Sequence, residues 1–188
     1  MKDLDINLPG THIMITIVSG TNRPGSNTHK VALEYLRMLK EKGVDAGLFS
    51  LEGVDLMRHD AAFTRIEEEI LAPTTHFIFI APEYNGSFPG ALKMLIDNCS
   101  THTIWFHKKA LLTGISTGRA GNLRGMDHLS DILNYLKITV HHNRLPISVV
   151  DKLLSATGQI IDKNTLKSIS DQLDEFIGWS GLAVEKRA

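Results

Sequence analysis

The sequence predicts an α/β fold: a doubly wound parallel sheet of about five strands in the order 2-1-3-4-5. Apolar runs typical of buried strands alternate with amphipathic helical segments along most of the chain. The run Ile13–Val18 is β-branched and uninterrupted, as in a strand covered on both faces. The 188 residues, 43% of them hydrophobic, suffice for one core. We expect a single domain over residues 1–188, with its core at about 12–178.

The individual elements follow from local pattern. The first strand, Ile13–Val18, stops at Ser19-Gly20, and apolar residues then recur at helical spacing from Val31 to Leu39. The later elements repeat this alternation. We predict strands at Ala46–Leu51, His76–Ala81, Ala110–Ile115 and Ile138–His142, and helices at Thr64–Leu71, Pro89–Asn98, Gly125–Leu136 and Lys163–Ile177.

The composition excludes several classes of protein. Lys and Arg number 20 and Asp and Glu 21, so a net charge of -1 gives no overall field that attracts nucleic acid or an anionic membrane. The start, Met1–Asp5, is acidic where a secretory signal is basic, and no apolar run reaches membrane-spanning length. We therefore expect a cytoplasmic protein. Cys99 is the only cysteine, which excludes an internal disulfide, so redox chemistry would need a bound cofactor.

Three unusual loops follow the first, third and fourth predicted strands. They span residues 20–28, 81–90 and 116–125. In the predicted strand order these three strands are neighbours, and ligands of open α/β sheets bind beyond the carboxyl ends of the strands. We therefore expect the three loops to meet in one crevice.

The first loop, Gly20–Thr28, is suited to a phosphate group. It leads into a helix whose unpaired amides and positive dipole end favour an anion, and Arg23 can supply charge without a metal ion. Further donors, from side chain or backbone, are Thr21, Ser26, Asn27 and Thr28. The alternative is a capped turn, in which Ser26, Asn27 or Thr28 caps the helix and Arg23 is solvated.

Two common nucleotide motifs do not fit this loop. Ser26-Asn27 stand where a P-loop requires Lys followed by Ser or Thr, so an ATPase is not expected. The loop also lacks Gly-x-Gly-x-x-Gly, and Glu52 is at best a displaced ribose-binding acid. A Rossmann-type dinucleotide site is therefore not expected either.

The second and third loops are suited to a flat ring. The 81–90 loop contains two prolines, two glycines and two aromatics, so it is stiff and its backbone can face a heterocycle, with Tyr84 or Phe88 lining the cavity. We interpret Glu83 as structural or backbone-presenting rather than as a general base. The 116–125 loop can close over the same ring. The alternative is that Tyr84 and Phe88 only cover the sheet end and the 116–125 loop is a surface turn.

Taken together, the motifs Gly20–Ser26, Pro82–Lys93 with Ile96-Asp97, and Ser116–Arg119 resemble those of the NADPH-dependent FMN reductase family, which has a flavodoxin-like fold. The similarity covers about Ile13–Ile147. The middle motif is the most specific, since a Pro-Glu-Tyr-Asn-x-Ser-x-Pro-Gly-x-Leu-Lys pattern seldom arises by chance.

The resemblance implies roles for particular residues. By position it implicates Thr21, Arg23, Ser26, Asn27 and Thr28 in binding the FMN phosphate. For the isoalloxazine ring it implicates Pro82, Glu83, Tyr84, Asn85, Ser116, Gly118 and Arg119. The sequence departs from the family where Asn122 occupies a site that is often glycine and where Met94 follows Lys93 in place of asparagine.

The resemblance also implies an activity. NADPH or NADH would reduce FMN, which would pass electrons to a small acceptor: a quinone, an azo compound, free flavin or a metal oxyanion. The cofactor carries this chemistry, so no catalytic acid or base is named. A homodimer or homotetramer is implied as well. The alternatives are an FMN-binding electron carrier or redox-sensing module without NAD(P)H turnover, and a flavin-free scaffold.

The nine histidines suggest a metal site only weakly. The pair His141-His142 could combine with His128, or with His102 and His107. Adjacent residues of a strand face opposite sides, however, so the pair could share one ion only at a bend. We therefore expect no metal site.

Overall fold

The computed structural model describes residues 14–181, which form a sheet in the predicted order β2-β1-β3-β4-β5, with every pairing parallel. Ile13, the predicted start of the first strand, lies outside these residues. The strands are β1 Ile15–Ser19, β2 Ala46–Ser50, β3 His76–Pro82, β4 Lys109–Ile115, β5 Thr139–Val140 and β6 Leu145–Ile147.

Within the described residues four α-helices connect the strands, and a fifth follows β6: α1 Asn27–Glu41, α2 Ala61–Ile66, α3 Gly90–Asn98, α4 Leu123–Tyr135 and, after β6, α5 Lys163–Ser180. Shorter segments are π-helical at Glu67–Leu71 and Thr101–Trp105, and 3₁₀-helical at Val150–Lys152. The helix predicted to start at Thr64 begins earlier, because Asp60 caps it by accepting from the amides of Ala62 and Phe63. Among the described helices, none is long and apolar enough to cross a membrane.

The sheet separates two apolar cores, which is the arrangement of a doubly wound fold. One core contains Ile78 of β3 together with residues of α1 and α5. The other contains Phe79 of β3 and residues of α2, α3 and α4. Because consecutive side chains of a strand alternate between faces, β3, which is buried at all seven positions, contributes side chains to both cores.

The fifth strand differs from the prediction. Within Ile138–His142 only Thr139–Val140 forms a strand, β5, which pairs with Lys109 and Ala110. A second short strand, β6, follows at Leu145–Ile147 and pairs with the later part of β4 from Thr113. The amide of His141 still donates to Ala110 O, at 2.8 Å, and the chain then bends before β6. The continuous-strand prediction was wrong, since an apolar run does not reveal where its hydrogen-bonded ladder is interrupted.

Candidate functional site

A cleft of about 270 Å³ lies beyond the carboxyl ends of β1, β3 and β4. Its volume is close to the lower end of the range for small-molecule sites. All three predicted loops contribute to its lining, which consists of Arg23, Pro24, Ser26, Asn27, Thr28, Pro82, Glu83, Tyr84, Ile115, Ser116, Thr117 and Val150. The predicted convergence of the loops is what the structure shows.

The first loop places the N-terminus of α1 at this cleft. Ser26 caps the helix, and its Oγ accepts from His29 N at 3.1 Å. The amides of Asn27 and Thr28, in the first turn of the helix, have no acceptor within it, so they are available to an anion. In the described part of the chain, Ser19 Oγ and His29 Nδ1 are buried without hydrogen-bond partners. Both flank this loop, which fits a site that a polar ligand completes.

Tyr84 connects the second loop to the first. Its hydroxyl hydrogen-bonds with Thr21 Oγ1 at 2.7 Å, and the guanidinium carbon of Arg23 lies 3.9 Å from the centre of its ring. Thr21 Oγ1 also accepts from Arg23 N at 3.3 Å. A cation–π contact with Tyr84 therefore holds the Arg23 side chain in place within the first loop, and its charge is still available to a ligand.

The second loop contains a tight turn. Tyr84 and Ser87 exchange backbone hydrogen bonds of 2.8 and 3.1 Å around Asn85 and Gly86. Both central residues have positive φ, 53° and 78°, as a type I′ turn requires. Asparagine and glycine adopt this conformation readily, which explains why these two residue types occur at the centre of the turn. Asn85 is consequently at the turn, outside the lining of the cleft.

The third loop is tied internally and to β3. Ser116 Oγ donates to Gly118 O and accepts from Gly121 N, each at 2.9 Å. Asn122 Nδ2 donates to Ala81 O at 2.9 Å, directly before Pro82. Asn122 is 1% exposed and has a φ of 63°. Asparagine tolerates this left-handed backbone conformation, and its side chain also supplies the hydrogen bond to Ala81 O.

Most of the predicted binding residues line the cleft, namely Arg23, Ser26, Asn27, Thr28, Pro82, Glu83, Tyr84 and Ser116. Outside its lining are Thr21, which hydrogen-bonds with the Tyr84 hydroxyl, and Asn85, Gly118 and Arg119. Four lining residues were not among the predicted binding residues: Pro24, Ile115, Thr117 and Val150. The first three lie in or next to the predicted loops, whereas Val150 carried no sequence signal. It is brought in by its amide, which donates to Ser116 O at 3.0 Å.

The strand order and the cleft at its carboxyl edge define a flavodoxin-like α/β protein. Known structures support this class. An NAD(P)H:acceptor oxidoreductase, FerB, from Paracoccus denitrificans superposes with a TM-score of 0.72 at 20% identity, over 89% of this chain and 97% of that one. Flavodoxins share the same fold.

The chain belongs to the NADPH-dependent FMN reductase family, whose model matches residues 13–149. An NAD(P)H-dependent FMN reductase from Pseudomonas aeruginosa is 29% identical over 89% of this chain and 95% of its own length. A 2-hydroxy-1,4-benzoquinone reductase from Burkholderia is 26% identical over 72% of this chain and 76% of its own. Family membership makes the protein an FMN-dependent oxidoreductase that takes electrons from NAD(P)H, which confirms the predicted class, cofactor and donor.

Proposed function

We propose that this protein uses NADPH or NADH to reduce a quinone-type small molecule, with FMN bound in the cleft formed by the three loops. The observation that carries the proposal is the junction of the α1 N-terminus, Arg23 and Tyr84 in one cleft. The acceptor class is supported by two kinds of relative, the benzoquinone reductase and a quinone reductase from Escherichia coli that is 34% identical over 53% of this chain.

Each loop has a distinct part in this proposal. Arg23 and the amides of Asn27 and Thr28 would hold the phosphate by charge-assisted hydrogen bonds. The Pro82–Tyr84 segment and the Ser116-Thr117 segment, at the ends of neighbouring strands, would hold the ring. Gly25, Asn85, Gly86 and Gly121 have positive φ, so the loops are shaped by their backbone before any ligand binds. When bound, FMN supplies the two-electron chemistry between NAD(P)H and the acceptor.

One carboxylate opposes the phosphate assignment and has to be displaced. Glu52 Oε2 accepts from Gly25 N at 3.4 Å, within the first loop. This contact is long and exposed, so it contributes little. A phosphate in the loop would take over that amide, and Glu52 would turn toward solvent.

Arg23→Ala tests whether the Arg23 side chain binds the FMN phosphate. Removing a charge-assisted contact of roughly 1.5–3 kcal/mol should weaken FMN binding about 10- to 100-fold. The measurement is fluorescence titration of FMN into apoprotein. Arg65→Ala, which removes an exposed arginine of α2, is the matched control and should bind FMN as the wild type does. Equal FMN affinity for Arg23→Ala and the wild type would contradict the assignment of Arg23.

The acceptor is tested separately with the FMN-loaded protein. Under anaerobic conditions NADPH or NADH should bleach the flavin, and a substituted 1,4-benzoquinone should restore its colour within catalytic times. An azo dye, free flavin and a metal oxyanion are compared at equal concentration. Bleaching without faster reoxidation by the quinone would refute the acceptor class alone. Failure to bleach with either nicotinamide would favour an electron carrier or redox-sensing module.

We further propose that the protein is a cytoplasmic single domain that forms a homodimer or homotetramer. This part follows the sequence composition and the family resemblance. Light scattering of the purified holoprotein measures the subunit number, and a monomer at micromolar concentration would refute the assembly.

A further inference from the structure

His141, His142 and Glu175 form a cluster of metal-ligand side chains well away from the cleft. One nitrogen of each imidazole and one carboxylate oxygen of Glu175 all lie within 4.8 Å of one another. The two imidazole rings are 4.4 Å apart between centroids, and His142 Nε2 lies 4.0 Å from Glu175 Oε2. No other group of three or more His, Cys, Asp or Glu side chains among residues 14–181 is gathered in this way.

The bend between β5 and β6 creates this arrangement. On a continuous strand the two imidazoles would point to opposite faces, and on that ground the sequence predicts no metal site. The strand ends at Val140, however, and the amide of Asn143 donates to His141 Nδ1 at 3.3 Å, closing a tight turn. The turn brings both rings to the same side, against α5.

Surrounding contacts hold one ligand fixed and leave two able to move. The His141 ring is buried and packs edge-on against Phe176 and Trp179, with centroid distances of 5.9 and 5.1 Å. The side chains of His142 and Glu175 are 82% and 50% exposed. They can therefore change rotamer without disturbing the core.

Hydrogen bonds from Gln172 and Asn143 fix the backbone turn and orient the Glu175 carboxylate. Buried Gln172 of α5 donates through Nε2 to Asn143 O at 2.8 Å and to Leu112 O at 3.1 Å, which fixes the turn against the helix. Asn143 Nδ2 donates to Glu175 Oε2 at 2.9 Å. Hydrogen bonds that orient a ligating carboxylate in this way are typical of protein metal sites.

We propose that His141, His142 and Glu175 bind a divalent transition metal ion, with Zn²⁺ the best match. Two imidazoles and one carboxylate are a common zinc ligand set that leaves a fourth position for water. Metal–ligand bonds of about 2.0–2.2 Å in a tetrahedron place ligand atoms roughly 3.4 Å apart, so no pair of ligand atoms has to approach by more than about 1.4 Å. The two exposed side chains allow that movement. His141 would bind the ion through its unprotonated nitrogen, the Nδ1 that accepts from Asn143 N, so the ion would replace that hydrogen bond.

The position of the cluster separates the ion from the proposed flavin site. β5 pairs with β4 at Lys109 and Ala110, whereas the cleft lies beyond Ile115 at the other end of that strand. Five strand residues correspond to roughly 16 Å. The ion would fasten the β5–β6 bend to α5, and its binding is independent of the FMN assignment.

Calorimetric titration of Zn²⁺ into the untagged, metal-free, full chain tests the proposal. One ion per chain should bind, and His142→Ala and Glu175→Gln should each weaken binding by about tenfold or more. His102→Ala removes another exposed histidine and should bind as the wild type does. Ni²⁺ and Cu²⁺ should compete for the same site, while Mg²⁺, which prefers oxygen ligands, should not.

Thermal unfolding supplies a second readout. Zn²⁺ should raise the Tm of the wild type and of His102→Ala, and leave the Tm of His142→Ala unchanged. Both substituted histidines are exposed, so the variants should fold. Absence of Zn²⁺ binding overturns the proposal. So does binding of equal affinity in the wild type, His142→Ala and Glu175→Gln, which would mean an adventitious ion only.

Discussion

Replacing Asn122 with glycine and with alanine separates two contributions that hold the third loop in place. The first is the hydrogen bond from Asn122 Nδ2 to Ala81 O, which is buried and 2.9 Å long. The second is the left-handed backbone at φ 63°, which asparagine tolerates, glycine adopts freely and alanine resists. Glycine removes the hydrogen bond without adding backbone strain. Alanine removes the hydrogen bond and adds backbone strain.

The expected losses of stability follow from these contacts. Losing one buried hydrogen bond costs about 1–2 kcal/mol. Within the described residues Asn122 Oδ1 has no hydrogen-bond partner, so glycine also removes a buried acceptor that was already unsatisfied. We therefore expect Asn122→Gly to lose about 1 kcal/mol. A non-glycine residue without a bonding side chain pays a further 1–2 kcal/mol or so in the left-handed region, giving about 2–3 kcal/mol for Asn122→Ala.

Urea unfolding of the apoprotein measures both variants. With a slope of about 2 kcal/mol/M, the two midpoints should differ by roughly 0.5 M or more, alanine being the lower. FMN titration supplies the functional readout, since the bond connects the loop to the residue before Pro82. Asn122→Ala should bind FMN more weakly than Asn122→Gly. A midpoint for alanine equal to or above that of glycine would refute the assignment of strain to this backbone position.

Three further substitutions test other parts of the fold. A Cβ added at Gly114 would lie 2.2 Å from Gly121 O, so Gly114→Ala should displace the third loop, lower stability by about 1–3 kcal/mol and weaken FMN binding in the same titrations. Tyr35→Phe removes a buried hydroxyl that donates to Gln172 Oε1 at 2.6 Å and should cost about 1–3 kcal/mol by urea unfolding; no loss would contradict this. Burial lowers the pKa of His76 from 6.5 to about 4, so the unfolded chain binds the proton first as pH falls. Stability should therefore drop between pH 6.5 and 4, by up to about 3 kcal/mol, and His76→Leu should flatten that part of the profile.

The strand order and the place of the cleft were accessible from the sequence because their signals are periodic and local. β3 is buried at every position and apolar at all but His76, as in a strand covered on both faces, and its end carries the proline and glycine pattern of an ordered loop. Once the order of strands is set, the loops after β1, β3 and β4 have no other place to meet.

The features that the sequence did not reveal depend on contacts between distant residues. Val150 reaches the cleft through a backbone hydrogen bond to Ser116, and backbone amides leave no trace in residue type. The break between β5 and β6 is set by which parts of β4 they pair with. The same break explains why His141 and His142 lie on one side of the chain. The rule that successive side chains alternate between faces holds only within a strand, and β5 ends before His141.

Residue type also does not show which polar groups the protein uses internally. Thr21 bonds to Tyr84, Ser26 caps α1, and Ser116 closes its own loop, so these three hydroxyls already have partners. Arg23 and the first-turn amides of α1 differ from these hydroxyls. The cation–π contact leaves the charge of Arg23 available to a ligand, and the amides at the start of the helix have no acceptor within it. Phosphate binding should therefore depend most on Arg23. Ser26→Ala should lower stability by about 1 kcal/mol through its lost cap while FMN affinity falls less than in Arg23→Ala. The reverse order of the two FMN affinities would show that Ser26 Oγ leaves its cap to bind the phosphate.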